Sequence, residues 1–352
     1  MDERTIQRVK RGLSDPVVGP ETLALMLTRV CNFNCVYCRG NRCPESREVA
    51  SAFRDELTTE ELFVLFDDAR TYGVSEVNLG GMNGEPFCKK DIVKIMRRIK
   101  ELGFCGSMTT NGSFLNASFA NEMSDLGWDI LLLSLDSPDE NVQYALRPSL
   151  EGKPYFGGVI DFLETCEAVE SRLRILINMV ITKLNYRDLP KMAAFAGRYK
   201  TIKSINLLRV VDMGLPNHED LRLGDKELEE FRTMLFQLED KGKITYTGDW
   251  GIVEGSCALK EGKAGLSCTP DTNNRCFANY YILSVDANGD VLHCPQQHRV
   301  VGGLNVKKVP LRRLWTQEHL EFRRGLAMGA PCFQECCTIL KEQNRAIARQ
   351  VV

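Results

Sequence analysis

Three cysteines lie within eight residues, at Cys31, Cys35 and Cys38, directly after the apolar run Leu23–Leu27. Thiolates at this spacing can hold three corners of a cubane iron–sulfur cluster, which usually has four cysteine ligands. The fourth iron is then open to another molecule. Zinc would need a fourth ligand, often from a second Cys-x2-Cys pair, and no such pair lies nearby. Cys43 could be the fourth ligand, but it lies five residues beyond Cys38 and we expect it to leave the loop. The spacing therefore favours a cluster that does chemistry over a closed cluster that only carries electrons.

More cysteines lie near the C-terminus, around a predicted β-hairpin. The apolar runs Tyr280–Val285 and Val291–Cys294 are joined by an Asn-Gly pair at 288–289, which favours a tight turn. The hairpin predicts that Cys276 and Cys294 lie at the same end. A predicted helix at about 310–327 then leads to another group of cysteines, which comprises Cys332, Cys336 and Cys337.

Four thiolates from these two segments can close an iron–sulfur cluster completely, or hold zinc tetrahedrally. Cys268, or with less support Cys257, could replace one of the four. The remaining cysteines fall in predicted helices or strands, and we interpret them as small buried apolar residues; they are Cys88, Cys105 and Cys166.

The composition indicates an ordinary soluble protein. The 352 residues are 43% hydrophobic and 26% charged, with a net charge of −2, so no overall basic surface for nucleic acid is expected. The N-terminus has no apolar signal segment, and no apolar run is long enough to span a membrane. We expect a cytoplasmic protein, where fourteen cysteines favour metal ligation over disulfides.

Between about residues 21 and 215, six short apolar runs alternate with amphipathic helices. Thr58 and Glu61 predict a capping box for one helix, and Gly103 predicts the end of the next. Six βα units predict a parallel sheet, too few for a closed eight-stranded barrel, so we expect a partial (β/α)6 TIM-like barrel. Ligands then bind at the carboxyl ends of the strands. The predicted strands are Leu23–Arg29, Glu76–Leu79, Cys105–Thr109, Ile130–Leu135, Arg174–Ile181 and Ser204–Arg209.

The changes of pattern along the chain predict four segments. These are an N-terminal extension at 1–20, the partial barrel at 21–215, a linker helix within 216–245, and a small α+β domain at 246–352.

The spacing Cys31-x3-Cys35-x2-Cys38 after a first strand resembles the signature of the radical S-adenosylmethionine (SAM) enzymes. The resemblance implies a [4Fe-4S] cluster whose open iron is chelated by the amino and carboxylate groups of SAM. It also implies one-electron cleavage of SAM to a 5′-deoxyadenosyl radical that abstracts a substrate hydrogen. Tyr37 matches the aromatic position of that family, near the adenine.

Four further motifs resemble family elements, in order, at successive strand ends. Asn83-Gly84-Glu85-Pro86 resembles the GGEP motif that meets the SAM amino group, with Asn83 in place of the first glycine; alone it would be an ordinary turn. The other three motifs imply contacts with the rest of SAM. For Arg147, a position on the protein surface is an equally supported alternative. The implied cofactor-binding residues are Tyr37, Gly84, Glu85, Pro86, Thr110, Asn111, Ser134, Asp136, Arg147, Asn178 and Val180.

The C-terminal cysteines resemble the SPASM and twitch extensions of radical SAM enzymes, which hold auxiliary clusters. The first half of the SPASM pattern is present, whereas the second half is incomplete. The resemblance therefore implies one auxiliary [4Fe-4S] cluster, held by Cys276, Cys294, Cys332 and Cys336, with Cys337 or Cys268 as substitutes.

The expected substrate is a small polar metabolite of the sugar, aminocyclitol or nucleoside type, which is oxidised, epimerised or decarboxylated. The alternative is a ribosomal peptide. Because peptide-modifying relatives often carry an N-terminal peptide-binding domain and only about 20 residues precede the first strand here, the small molecule is favoured. A third hypothesis, an iron–sulfur electron carrier or metal-binding regulatory module, does not explain the strand-end motifs.

A flavodoxin or ferredoxin is the implied electron donor. Arg209, at the end of the sixth predicted strand, is a candidate catalytic or substrate-binding residue, with a salt bridge as the alternative.

Overall fold

The computed structural model describes residues 3–38, 55–80, 84–210, 218–238, 244–246, 276–294, 297–328, 347–348 and 350. Several predicted positions lie outside these ranges, namely Cys43, Asn83, Cys257, Cys268, Cys332, Cys336 and Cys337. The described strands are β1 Thr22–Leu25, β2 Glu76–Leu79, β3 Cys105–Thr110, β4 Ile130–Ser134, β5 Arg174–Ile181, β6 Ile202–Arg209, β7 Ile244–Tyr246, β8 Ile282–Val285, β9 Asp290–Cys294 and β10 Gln297–Asn305. The described helices are α1 Glu3–Ser14, α2 Thr59–Thr71, α3 Ile92–Glu101, α4 Ala117–Asp125, α5 Glu140–Leu146, α6 Phe156–Ala168, α7 Leu189–Gly197, α8 His218–Leu221, α9 Asp225–Leu238, α10 Leu311–Arg313, a π-helical turn Leu314–Glu318, and α11 Leu320–Ala327.

The strands form a single sheet in the order β10-β9-β8-β1-β2-β3-β4-β5-β6-β7. From β8 through β1 to β7 all neighbours are parallel, as in a partial barrel, and β9 and β10 continue the sheet in antiparallel fashion. The strand before the first cysteines therefore lies inside the sheet, between β2 and β8. The proposed domain boundaries stay a prediction.

All six predicted barrel strands are present, and the first one is shorter than expected. β1 ends at Leu25, whereas the apolar run predicted a strand to Arg29. Beyond the strand, the Glu56 carboxylate accepts hydrogen bonds from the Thr28 hydroxyl at 2.8 Å and from the Arg29 backbone N–H at 3.2 Å. The chain therefore leaves the ladder before Arg29 and turns toward the cysteines.

The predicted helix signals are confirmed at the first helix of the barrel. Thr58 and Glu61 form the reciprocal capping box of α2, in which Leu62, Leu65 and Phe66 are buried. After α3, Gly103 adopts a φ of 75°, the left-handed conformation that ends a helix at little cost for glycine.

The N-terminal helix α1 was not predicted. Its Ile6 and Val9 are buried in a separate apolar cluster with Phe277 and Tyr280, which follow Cys276. Two apolar residues one turn apart make too narrow a stripe to distinguish this helix from a polar extension.

Strand alternation separates side chains that face the helices from those that face the barrel interior. On β6, Ile205 and Leu207 are buried against the helices, while Asn206 is on the opposite, interior side. Arg209 shares the face of Ile205 and Leu207 and pairs in register with the buried Ile181. The period of two places Arg209 on the same face as these buried residues, and its candidate role in catalysis or substrate binding stays a prediction.

No helix among the residues that the structure describes is both long and apolar enough to cross a membrane.

Candidate active site

The loop with the first three cysteines is fixed by backbone pairing to the end of α5 and the segment that follows it. The Asn34 and Val36 N–H groups donate to the carbonyls of Pro148 and Leu146, both at 2.9 Å. The Leu150 N–H donates to the Asn32 carbonyl at 2.8 Å. The loop thus has a defined backbone conformation before any metal is considered.

Cys31 and Cys35 each lie close enough to Cys38 for its charge to affect their thiols. Burial is the main reason why the pKa values of Cys31 and Cys35 are raised to about 12, and the charge of Cys38 contributes to the rise at both. Metal ligation requires thiolates, so a positively charged group must offset this unfavourable charge. Within the described ranges, no three His, Cys, Asp or Glu side chains converge on a single metal ion. A donor set of three thiols on one loop fits the iron of a cluster.

Glu85 lies beside this loop and is almost fully buried. Its carboxylate accepts hydrogen bonds from the Thr110 hydroxyl at 2.8 Å and from the Asn111 backbone N–H at 2.7 Å. Burial raises the pKa of Glu85 to about 7, and these hydrogen bonds limit the rise. The residues after β2 and β3 are thereby joined, and a carboxylate is available for a cationic group such as an ammonium.

Gly84 allows the backbone of this segment to approach the cysteine loop. A β-carbon at Gly84 would lie 1.9 Å from the Thr28 carbonyl oxygen. The next residue is also tied to the loop, because the Glu85 N–H donates to the Val30 carbonyl at 2.9 Å. Pro86 begins a short 3-10 turn at Pro86–Cys88, and its predicted contact with the cofactor stays a prediction.

Asp136 and Arg147 form a buried ion pair at the end of β4. Arg147 Nε and Nη2 donate to the two carboxylate oxygens at 2.7 and 3.1 Å, so the alternative of a surface arginine is wrong. Asp136 also accepts from the Tyr37 hydroxyl and from the Val180 backbone N–H. The Arg147 guanidinium lies 5.3 Å from the centre of the Tyr37 ring.

This network gives Asp136 a positioning role. Its carboxylate accepts four hydrogen bonds from protein groups and is not exposed to solvent, so both oxygens already have partners within the protein. Tyr37 and Arg147 are held at the cysteine loop by the same carboxylate. The predicted contacts of these three residues with SAM stay predictions.

Polar residues from β4, β5 and β6 line the interior at one level. Ser134, Asn178 and Asn206 are paired in register, and the Asn206 amide donates to Asn178 Oδ1 at 2.9 Å. Val180 is on the same interior side of β5. The structure therefore brings three of the predicted cofactor residues, Ser134, Asn178 and Val180, onto one wall.

The described part of the second cysteine group lies at the hairpin β8–β9, whose strands and turn are confirmed. Cys294 ends β9, and the Cys276 N–H donates to the Leu326 carbonyl on α11 at 2.9 Å. Both thiols are half-buried. The other predicted ligands of an auxiliary cluster lie outside the described residues.

No local pattern in the sequence marks several residues around the first site. Asn32 and Ser113 bond to each other and to Asn111 across the loops after β1 and β3. Cys88, which we expected to be buried and apolar, is half-buried, and its charge contributes to the raised pKa of Cys31. Cys105 is also half-buried, whereas Cys166 is fully buried as expected. These contacts depend on the meeting of separate loops, which local patterns do not predict.

Comparison with known proteins identifies the family. The model of the Radical SAM superfamily matches residues 25–196, from the end of β1 into α7. The mycofactocin maturase MftC of Mycolicibacterium smegmatis is 27% identical over 334 residues, which cover 93% of this chain and 77% of that protein. A protein of Sulfurisphaera tokodaii named as a probable GTP 3′,8-cyclase is 31% identical over 217 residues, covering 60% of this chain. The match spans 64% of the cyclase, less than two thirds of its length.

Two solved structures share the fold. SuiB of Streptococcus suis superposes with a TM-score of 0.62 at 18% identity, covering 87% of this chain and 68% of that chain. The structure of anSMEcpe with bound AdoMet has a TM-score of 0.60 at 16% identity and covers 94% of this chain and 96% of that chain. The chain therefore belongs to the radical SAM superfamily, whose enzymes use a [4Fe-4S] cluster and SAM, and it carries a C-terminal domain of the SPASM/twitch type.

Proposed function

We propose that this radical SAM enzyme is a maturase that modifies a peptide. The observation that carries the proposal is the match to MftC, which extends over 93% of the chain. A match of this extent includes the C-terminal region as well as the barrel. SuiB, which shares the fold, is known in a complex with the precursor peptide SuiA, and anSMEcpe in a complex with a Cp18Cys peptide.

A small polar metabolite, which we expected from the sequence, is the second candidate substrate. The match to the GTP cyclase favours it, but that match covers only 60% of this chain. The peptide is therefore the better supported of the two substrate classes.

In the proposed enzyme, Cys31, Cys35 and Cys38 hold the cluster, and Glu85 binds the amino group of SAM. The bound cluster and SAM supply a 5′-deoxyadenosyl radical for hydrogen abstraction. Asn178 and Ser134 present polar groups toward the barrel interior, and the buried Glu85 keeps its carboxylate away from bulk water. Cys276 and Cys294 supply two ligands of the auxiliary cluster.

The test uses the full chain, reconstituted anaerobically with iron and sulfide and reduced with dithionite. The chain is incubated with SAM and either short peptides encoded beside its gene or a panel of nucleotides, sugars and aminocyclitols that includes GTP. We expect 5′-deoxyadenosine and a change in mass of one peptide. The variant Cys31→Ala should give neither product.

Two results would count against the proposal. Turnover of a panel metabolite with no change in any peptide would assign the enzyme to the second candidate. A correctly loaded cluster that never cleaves SAM would instead support the electron-carrier hypothesis.

A further inference from the structure

The orientation of the Asn111 side-chain amide is determined by its neighbours. Asn111 Oδ1 accepts a hydrogen bond from the Ser113 backbone N–H at 2.9 Å. A backbone N–H can only donate, so the oxygen of the amide must face Ser113. The NH2 group then faces the cysteine loop, where it is 2.9 Å from Asn32 Oδ1 and 3.9 Å from Cys31 Sγ.

The same contacts use every polar atom of the Asn111 side chain. One hydrogen of Nδ2 is directed to Asn32 and the other to Cys31, while the oxygen is bound to Ser113. The backbone N–H of Asn111 is bound to Glu85. Because an amide has only two N–H donors, none is left for a bound cofactor.

A second hydrogen bond holds this arrangement in place. Asn32 Nδ2 donates to the Ser113 hydroxyl at 2.9 Å, which completes a ring of contacts between the loops after β1 and β3. Asn111 is only 7% exposed, so water cannot substitute freely for its N–H at the sulfur. The amide is therefore held rigidly beside Cys31 when the loop is formed.

We propose that Asn111 is a positioning residue whose N–H donates to the Cys31 sulfur and raises the reduction potential of the cluster. Hydrogen bonds to the sulfurs are one of the factors that set the potentials of iron–sulfur clusters. The reduced cluster carries one more negative charge than the oxidised cluster, so a donor at sulfur stabilises the reduced form more. This role differs from the SAM contact that the sequence motif implies.

The test is a potentiometric titration of the anaerobic full-length chain, in which dithionite supplies the one electron and the reduced cluster is followed by EPR. The signal is assigned to this cluster by its change on addition of SAM. Asn111→Leu removes the donor without adding charge, and its midpoint potential should be lower than that of the wild type. Asn111→Asp keeps an oxygen for the Ser113 N–H and replaces the donor with a second oxygen, so its potential should be lower still.

Asn121→Leu is the matched control. Asn121 is exposed on α4, where its amide donates to the Ala117 carbonyl at 3.2 Å, so the potential should equal that of the wild type. Iron is counted in each variant, and the Asp variant serves if the Leu variant does not fold. A fully loaded Asn111→Leu or Asn111→Asp chain with the wild-type potential would overturn the proposal.

This inference rests on the proposed cluster at Cys31, Cys35 and Cys38, and its failure is distinguishable from failure of the proposed function. A wild-type chain that binds no cluster overturns both. An unchanged potential in loaded variants overturns the role of Asn111 alone, whatever the substrate is.

Discussion

At the scale of single residues, Gly84 packs against the backbone just ahead of the first cysteines. Its missing side chain lets the segment before Glu85 pass beside the Thr28 carbonyl, just ahead of Cys31. An added β-carbon would meet backbone, which cannot rotate away as a flexible side chain could. The position of Glu85 relative to the cysteine loop therefore depends on a glycine at this point.

We expect Gly84→Ala to lower both the Tm and the iron content of the reconstituted chain. The β-carbon would force the Thr28 backbone and the loop that follows to move. Gly157→Ala is the control, because a β-carbon at this position in α6 meets nothing within 4 Å. That variant should keep its iron and gain up to about 1 kcal/mol of stability. Wild-type Tm and iron in Gly84→Ala would show that the loop does not require this contact.

Single residues could be predicted from the sequence only where the residues that mark a site lie close together along the chain. The spacing of Cys31, Cys35 and Cys38 is local, and in the structure the charge of neighbouring cysteines contributes to the raised pKa of Cys31 and of Cys35. For Arg209, the register of β6 shows only which face of the strand it shares, and its role stays a prediction. Asn32 and Ser113 come from separate loops, so only the folded chain shows that they meet.

At the scale of elements, four parts of the barrel are joined through one carboxylate. Asp136, after β4, is bound by Arg147 after α5, by Tyr37 on the cysteine loop, and by the backbone of Val180 on β5. A buried ion pair is sensitive to removal of one partner, because the charge that remains has no compensation.

We expect Arg147→Met to lower the free energy of unfolding by about 3–5 kcal/mol, since it leaves the buried Asp136 without its cation. Arg187→Met is the matched control, because the side chains of Arg187 and Glu230 form a similar pair that is 69% and 44% exposed. Its cost should be under about 1 kcal/mol. Urea denaturation of the two variants measures the difference, and equal losses would contradict the role of burial.

The elements of the barrel were largely predictable, because buried parallel strands give continuous apolar runs. β2 and β5 have the bounds that the sequence predicts. The end of β1 was missed because apolar residues continue beyond Leu25, where the strand ends. Thr28 and Arg29, which follow, donate hydrogen bonds to the Glu56 side chain instead of a neighbouring strand. α1 was missed because its burial depends on residues near Cys276, far along the chain.

At the scale of the whole molecule, the C-terminal hairpin continues the sheet of the barrel. β8 pairs in parallel with β1, and the Arg29 side chain before Cys31 is bound to Asp286 in the turn that follows β8. The sequence predicted the hairpin but not its place, since no local pattern specifies which strand a hairpin joins. The two cysteine sites are thus connected through adjacent strands.

We expect about eight iron atoms per chain after anaerobic reconstitution, the content of two cubane clusters. The triple variant Cys31→Ala/Cys35→Ala/Cys38→Ala should retain about four, and so should Cys276→Ala/Cys294→Ala, because each loses a different cluster. Iron and zinc are measured together by elemental analysis. About four iron atoms and one zinc in the wild type would show that the C-terminal site holds zinc.

The backbone pairing between the cysteine loop and the segment 146–150 has a consequence for assembly and repair. Asn34 and Val36 are bonded to this segment through protein groups alone. Much of the chain entropy of the loop is thus lost during folding and need not be lost again when iron and sulfide enter. Oxygen that destroys a cluster would leave the backbone of the cysteine loop folded, so that a new cluster could be inserted without refolding of the chain.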